Sequence, residues 1–473
     1  MESLLANIGN FLNSVGPLIV LPVVITLLGI VLGQRVDRAF RSGLLTAVAF
    51  VGIFLTVGLL GDTVSKIGQA FATATGTGLN IIDIGWPAAS ALAFGTPVGN
   101  LIIPIGIVLN IVLLLLGLTQ TLDIDIWNFW HMAFVGAIVQ FVTGSFGLAL
   151  IAAAVSMVVA LFLADWSAPL IQKYFKYPGL SIPHLQSAGY MLYGVPFAWV
   201  LNKIGFLKRL NLDPDTIRRR LGVIGEPIVL GLVIGVLLAA LARQPLLDVL
   251  TTGVNIAAVM ILIPRMVAIL MEGLTPVADA ARKFMTKRFA DRKFHIGMDS
   301  AILIGSPAVI ASGLLMVPIE IALALILSPL GNQTLPFIDL ADGVFVTAML
   351  APLVAGDVLL TVILGAIVMG TGLIFTTLLS PAVTQMVTAA GSAVTLPSGY
   401  AHYTVMSDAA IPVTYVMYYI YQTPVVAALI ISAVFLAFLY FIKVRFPLGE
   451  KVFTLKQEPG ETGTPEPAGA SGD

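Results

Sequence analysis

The chain has 473 residues, 58% of them hydrophobic and only 10% charged, where a soluble domain carries about a quarter charged residues. So few charges cannot solvate a surface of this size, which excludes a soluble globular protein, and a formal net charge of -1 offers no field for nucleic acid. With no cysteine, the chain can hold no disulfide, thiolate metal site or iron–sulfur cluster and can carry no phosphocysteine of its own.

Taking about 20 apolar residues as one crossing, the sequence predicts spans over 17–33, 43–60, 98–117, 132–163, 187–202, 225–242, 252–273, 308–328, 340–356, 358–379 and 423–442. The fold class expected is thus an all-α polytopic membrane protein of about eleven transmembrane helices. No basic residue precedes Arg35, so the first apolar run lacks the positive flank of a cleaved signal peptide and is expected to be retained. Basic residues gather at Arg35 to Arg41, Lys203 to Arg220, Arg282 to Lys293 and Lys443 to Lys451. The positive-inside rule puts all four clusters in the cytoplasm, with the N-terminus outside and the C-terminus inside. The membrane domain is expected over 1–456, followed by a polar, disordered cytoplasmic tail over 457–473.

Shifted by about 210 residues, the chain matches itself in a pattern typical of transporters built from inverted repeats. Gly16-Pro17-Leu18-Ile19-Val20-Leu21 falls on Gly225-Glu226-Pro227-Ile228-Val229-Leu230, Gly43 on Gly253, and Gly95-Thr96-Pro97 on Gly305-Ser306-Pro307. Five predicted spans precede the second copy, which would invert it, and the repeats are expected over approximately 16–202 and 225–442.

A polar side chain at membrane depth is costly unless paired or wetted, so each is a candidate site residue. In chain order these are Asp83 beside Gly85-Trp86-Pro87, His131 and Gln140, His184 with Gln186 after Ile182-Pro183, Glu226, Arg265 with Glu272, Asp299, and Asn332 with Gln333. Adjacent Gly and Pro residues point to broken helices or re-entrant hairpins lining a polar cavity. Other readings stand beside these. His131 follows Trp127-Asn128-Phe129-Trp130, an aromatic run suited to the membrane interface. Asp299 suits the N-cap of a following helix, Arg265 and Glu272 share a helical face and suit structural ion pairs, and Trp86 either stacks on a sugar or packs. No His-Glu-x-x-His motif, Gly-x-Ser-x-Gly elbow or phosphate-binding Gly-Lys loop occurs, so the chain cannot itself drive transport with ATP.

At Gly85-Trp86-Pro87, Asp125-Ile126-Trp127-Asn128 through Trp130-His131-Met132, Ile182-Pro183-His184, Gly225-Glu226-Pro227, Glu272-Gly273-Leu274-Thr275-Pro276, Gly297-Met298-Asp299, Gly331-Asn332-Gln333 and Leu335-Pro336-Phe337 with Asp339-Leu340, the chain resembles a known family. It is similar to the Enzyme IIC permeases of the bacterial phosphoenolpyruvate-dependent sugar phosphotransferase system, galactitol family, relatives of the ascorbate Enzyme IIC. The resemblance implies two inverted halves forming a substrate-holding core and a dimerisation scaffold, an elevator-like movement, a homodimer in the bacterial inner membrane and no cofactor. It implies a galactitol-like polyol as substrate, phosphorylated by a separate phospho-IIB protein fed by IIA, so that the permease has no catalytic residue of its own. His131, His184 and Asp299 carry over as pocket residues, expected to converge near the midplane, with Gln186 beside them. Glu226, Asn332, Gln333 and Trp86 join the substrate-binding set by polarity, depth and motif. Ala88 to Leu92 and Leu185-Gln186-Ser187 depart from the galactitol pattern and bear on which polyol is taken. The alternative is a secondary transporter in which Asp83, Glu226 or Asp299 binds a coupling proton or sodium ion.

Overall fold

The computed structural model describes residues 17–75, 79–204, 206, 227–288, 294–336, 339–389 and 402–449. The first half comprises helices α1 (Pro17–Val31), α2 (Val36–Thr75), α3 (Gly85–Gly95), α4 (Pro97–Leu115), α5 (Phe129–Thr143), α6 (Phe146–Phe175) and α7 (Leu185–Leu201). The second comprises α8 (Pro227–Leu241), α9 (Leu246–Arg288), α10 (Pro307–Ile326), α11 (Gly343–Ala348), α12 (Val358–Ala389), α13 (Met406–Ala409), α14 (Pro412–Ile420) and α15 (Val425–Arg445). Among the described residues α6, α10, α12 and α15 are long and apolar enough to cross a membrane, and α4, bent by 42° between Ile103 and Ile105, makes a fifth. Further shorter apolar helices accompany them, as in a helical membrane protein.

Local chemistry sets the breaks. Thr96 and Ser306 are the N-cap residues of α4 and α10, each with proline at the first helical position, where its missing N–H costs nothing; the Thr96 hydroxyl accepts from Gly99 N at 3.1 Å. The predicted crossing over 132–163 is two helices instead. Gly144 adopts φ 67°, a left-handed turn that ends α5, and Ser145 then caps α6 by accepting from Leu148 N. The predicted crossing over 340–356 is likewise broken, into α11 between two 3-10 turns, Asp339–Asp342 and Ala351–Val354.

The mostly helical fold also holds six short strands that the sequence did not indicate: β1 (Ile81–Asp83), β2 (Thr121–Asp123), β3 (Leu180–Ser181), β4 (His295–Gly297), β5 (Thr334–Leu335) and β6 (His402–Thr404). They form two parallel three-stranded sheets, β5-β1-β6 and β2-β4-β3. The central strand of each comes from one half of the chain and both its neighbours from the other. Non-helical backbone is tolerated in such a protein only where its N–H and C=O groups are paired or buried in protein, and the strands pair them with one another. Around this, α1, α2, α8 and α9 pack on one another, with α2 along α9, while α4, α6, α10 and α12 pack against the sheets. Glu272 of α9 meets Arg41 of α2 at 2.7 Å on an exposed face, an ion pair between helices as its position suggests.

Candidate functional site

The carboxy ends of the strands deliver acidic side chains and helix starts to one buried region. At the end of β1, Asp83 accepts from Gly85 N and Met406 N, both at 3.1 Å, and from Asp339 N at 2.7 Å. Asp339 in turn accepts from Trp86 N and Ser407 N, both at 2.8 Å. Two carboxyl groups therefore satisfy five backbone donors and tie three distant segments together, a use of acceptors that fixes loops at helix starts. The other sheet repeats the device. Asp123 accepts from Asp125 N and Asn128 Nδ2, Asp125 accepts from Trp127 N and Asp299 N, and Asp299 accepts from Ala301 N at 2.7 Å, capping the 3-10 turn Ser300–Leu303.

Between these braces His131, His184 and Asp299 come together. His131 Nε2 lies 2.9 Å from His184 Nε2, and His184 Nε2 lies 3.7 Å from Asp299 Oδ2. On its other edge His131 Nδ1 lies 2.9 and 3.1 Å from the two oxygens of Asp408, with both side chains fully buried. One proton arrangement satisfies the hydrogen bonds of the imidazole pair: His131 Nδ1–H donates to Asp408, His184 Nε2–H donates to His131 Nε2, and His184 Nδ1 accepts from the Ser300 hydroxyl at 3.0 Å. Ser187 supports the same corner, its hydroxyl lying 2.8 Å from both Ser300 Oγ and the Phe345 carbonyl. His184 itself is the N-cap of α7 and accepts from Ser187 N. Aromatic rings hold the imidazoles: Trp130 lies 4.2 Å from His131 and Phe345 5.9 Å from His184, centroid to centroid. His131 is buried, and the aromatic run before it folds inward, Trp127 meeting Trp86 edge-on at 5.9 Å.

The other sequence candidates divide. Gln186, buried beside the pair, donates from Nε2 to Asp342 Oδ2. Trp86 is half-buried and joins the site through its backbone and its contact with Trp127. Asn332 instead commits its amide to structural partners, donating to Ala324 O at 2.9 Å and Thr334 O at 3.1 Å while accepting from Thr334 N and the Thr377 hydroxyl. Gln333 is exposed, and its carbonyl accepts from Ile81 N at the amino end of the strands, opposite the end where the acids gather. Glu226 lies outside the described residues. Sequence reasoning missed Asp408, Asp342 and Ser300, and named Ser187 only within the segment Leu185-Gln186-Ser187. Asp408 had a signal, a lone acid before the apolar Ala409-Ala410-Ile411-Pro412-Val413, in a stretch assigned to no span.

The set offers imidazole, carboxyl, amide and hydroxyl groups within an apolar body, donors and acceptors suited to a neutral ligand bearing several hydroxyls. Comparison with known proteins gives the family. The family model described as "PTS system sugar-specific permease component" matches residues 10–399. The chain is 35% identical over 360 residues to the galactitol-specific EIIC component of the phosphotransferase system of Escherichia coli strain K12, covering 76% of this chain and 79% of that protein. It is 34% identical over 381 residues to a putative permease IIC component of the same strain, covering 80% of this chain and 86% of the relative. Motifs in order along the chain, a helical membrane body and these matches make it a member of the galactitol-family Enzyme IIC permeases of the sugar phosphotransferase system.

Proposed function

We propose that the chain takes up galactitol or a closely related polyol from outside the cell and delivers it to a phosphorylated IIB partner at the cytoplasmic face. The observation that carries this reading is the His131–His184–Asp299 cluster, buried in a family member 35% identical to a galactitol-specific component. The ligand is held by hydrogen bonds from His131, His184, Asp299 and Gln186, with Trp86 at its apolar faces. Glu226 belongs to the substrate set by its motif.

The same reading includes two inverted repeats, over approximately 16–202 and 225–442. Two features support it. Each sheet has a central strand from one half flanked by strands of the other. A shift of about 210 residues, the spacing of the sequence repeat, also carries one close helix contact onto another: Gly43 against Pro22 and Thr26, and Gly253 against Leu232 and Val236. The long α1–α2 and α8–α9 group serves as dimerisation scaffold, and the helices around the sheets serve as the moving core of an elevator. The amino terminus lies outside and the carboxy terminus inside, from the basic clusters.

Uptake of labelled galactitol into membrane vesicles, with and without purified phospho-IIB, tests the function. Sugar phosphate should accumulate only when phospho-IIB is present. Accumulation of free sugar driven by a proton or sodium gradient alone would refute the reading and favour a secondary transporter.

A further inference from the structure

Glu320 is 1% exposed in the apolar helix α10, and neither carboxyl oxygen accepts a hydrogen bond from any described residue. A buried carboxyl group without donors is costly in a membrane helix, so its presence calls for a ligand. Its position gives that ligand a direction. Gly313 of α10 approaches the backbone so closely that an added Cβ would lie 2.6 Å from Val344 Cα, which presses α10 onto the segment that begins at Asp339. Glu320, two turns beyond Gly313, is on the same face. The turn Asp339–Asp342 packs on α10, and Gly343, next to Asp342, lies against Gly313 and Met316 on the same helix. Asp342 accepts from Gln186, and Ser187, next in sequence, lies 3.1 Å from His184.

The polar groups therefore form a track from the paired imidazoles through Gln186 and Asp342 to Glu320. A ring sugar gathers its hydroxyls into a compact disc, whereas an acyclic polyol carries one on every carbon and presents them along a line. We propose that Glu320 accepts a terminal hydroxyl of an extended polyol whose other end is held at His131, His184 and Asp299, making Glu320 a specificity-determining residue for chain length and end group. This rests on the polyol reading of the site.

The test measures equilibrium binding of galactitol and of 1,6-dideoxygalactitol to the full-length protein in lipid nanodiscs, for wild type, Glu320→Leu and Glu320→Gln. The dideoxy compound loses both terminal hydroxyls, so the symmetry of galactitol cannot hide the effect. Glu320→Leu should weaken galactitol binding about tenfold or more, and the penalty for the dideoxy compound should shrink by the same factor. Glu320→Gln keeps an acceptor and should fall between wild type and Leu; it carries the comparison if the leucine variant does not fold. A dideoxy penalty of equal size in wild type and both variants, with unchanged galactitol binding, would overturn the assignment and leave Glu320 to a water molecule or a proton. Wild-type protein that binds no polyol would overturn the underlying substrate reading, an outcome distinct from loss of coupling at Glu320.

Discussion

Replacing Asp408 tests whether the imidazole pair is a built site. The Asp408 carboxyl group holds His131 Nδ1 at 2.9 and 3.1 Å with no solvent access to either partner. A buried hydrogen bond to a charged group contributes about 1.5–3 kcal/mol and a neutral one about 1. Asp408→Asn retains the shape and one acceptor oxygen, so the expected loss is about 1–2 kcal/mol. Expressed wholly in ligand binding, that raises Kd about 5- to 30-fold. Asp408→Leu removes the acceptor altogether. His131 is then free to move its proton to Nε2, which would set an N–H against the His184 N–H now pointing at it across 2.9 Å. The pair must rearrange, and the loss should reach about 3 kcal/mol, or more than 100-fold in Kd. Equilibrium binding of labelled galactitol in nanodiscs gives these ratios, and thermal melts of the same samples separate affinity from loss of fold. Binding within twofold of wild type for Asp408→Leu, in a folded protein, would refute the argument that Asp408 sets the tautomer on which the site depends.

Other parts of the structure make their own predictions. Asp165 accepts from the Thr119 and Thr121 hydroxyls, from Gln120 N and from Lys443 Nζ at 2.9 Å, so Asp165→Ala should destabilise by about 3–5 kcal/mol through the stranded lysine. Adding Lys443→Met should recover part of that loss, and additive melting shifts for the two changes would refute the pairing. Gly313→Ala forces a methyl group into the Val344 backbone and should cost about 1–3 kcal/mol, read as a lower melting temperature; an unchanged melt would contradict the close approach. Charge reversal at Arg218, Arg219 and Arg220, in a loop expected to face the cytoplasm, should raise the half-saturating IIB concentration most at low salt. An unchanged half-saturation and salt dependence, with normal membrane insertion, would assign those charges to topology alone.

Composition, breaks and charge pattern decided the class of this protein before any contact was known. With 58% hydrophobic residues its surface must face lipid, and long apolar stretches in lipid become helices because no water is available to pair the backbone. The cost of polar groups at that depth also made His131, His184, Asp299 and Gln186 legible one at a time. Pairing was not legible. His131 and Asp408 are far apart in the chain, and nothing local to either states that the other completes it. The strands were hidden for a related reason: segments of two or three residues carry no periodicity, and their hydrogen bonds come from the other half of the chain. Asn332 and Asp299 are both polar residues beside a strand, yet one commits its side chain to structural partners and the other reaches His184. Sequence sets how costly each polar group is to bury, whereas tertiary packing decides which donors and acceptors share its space.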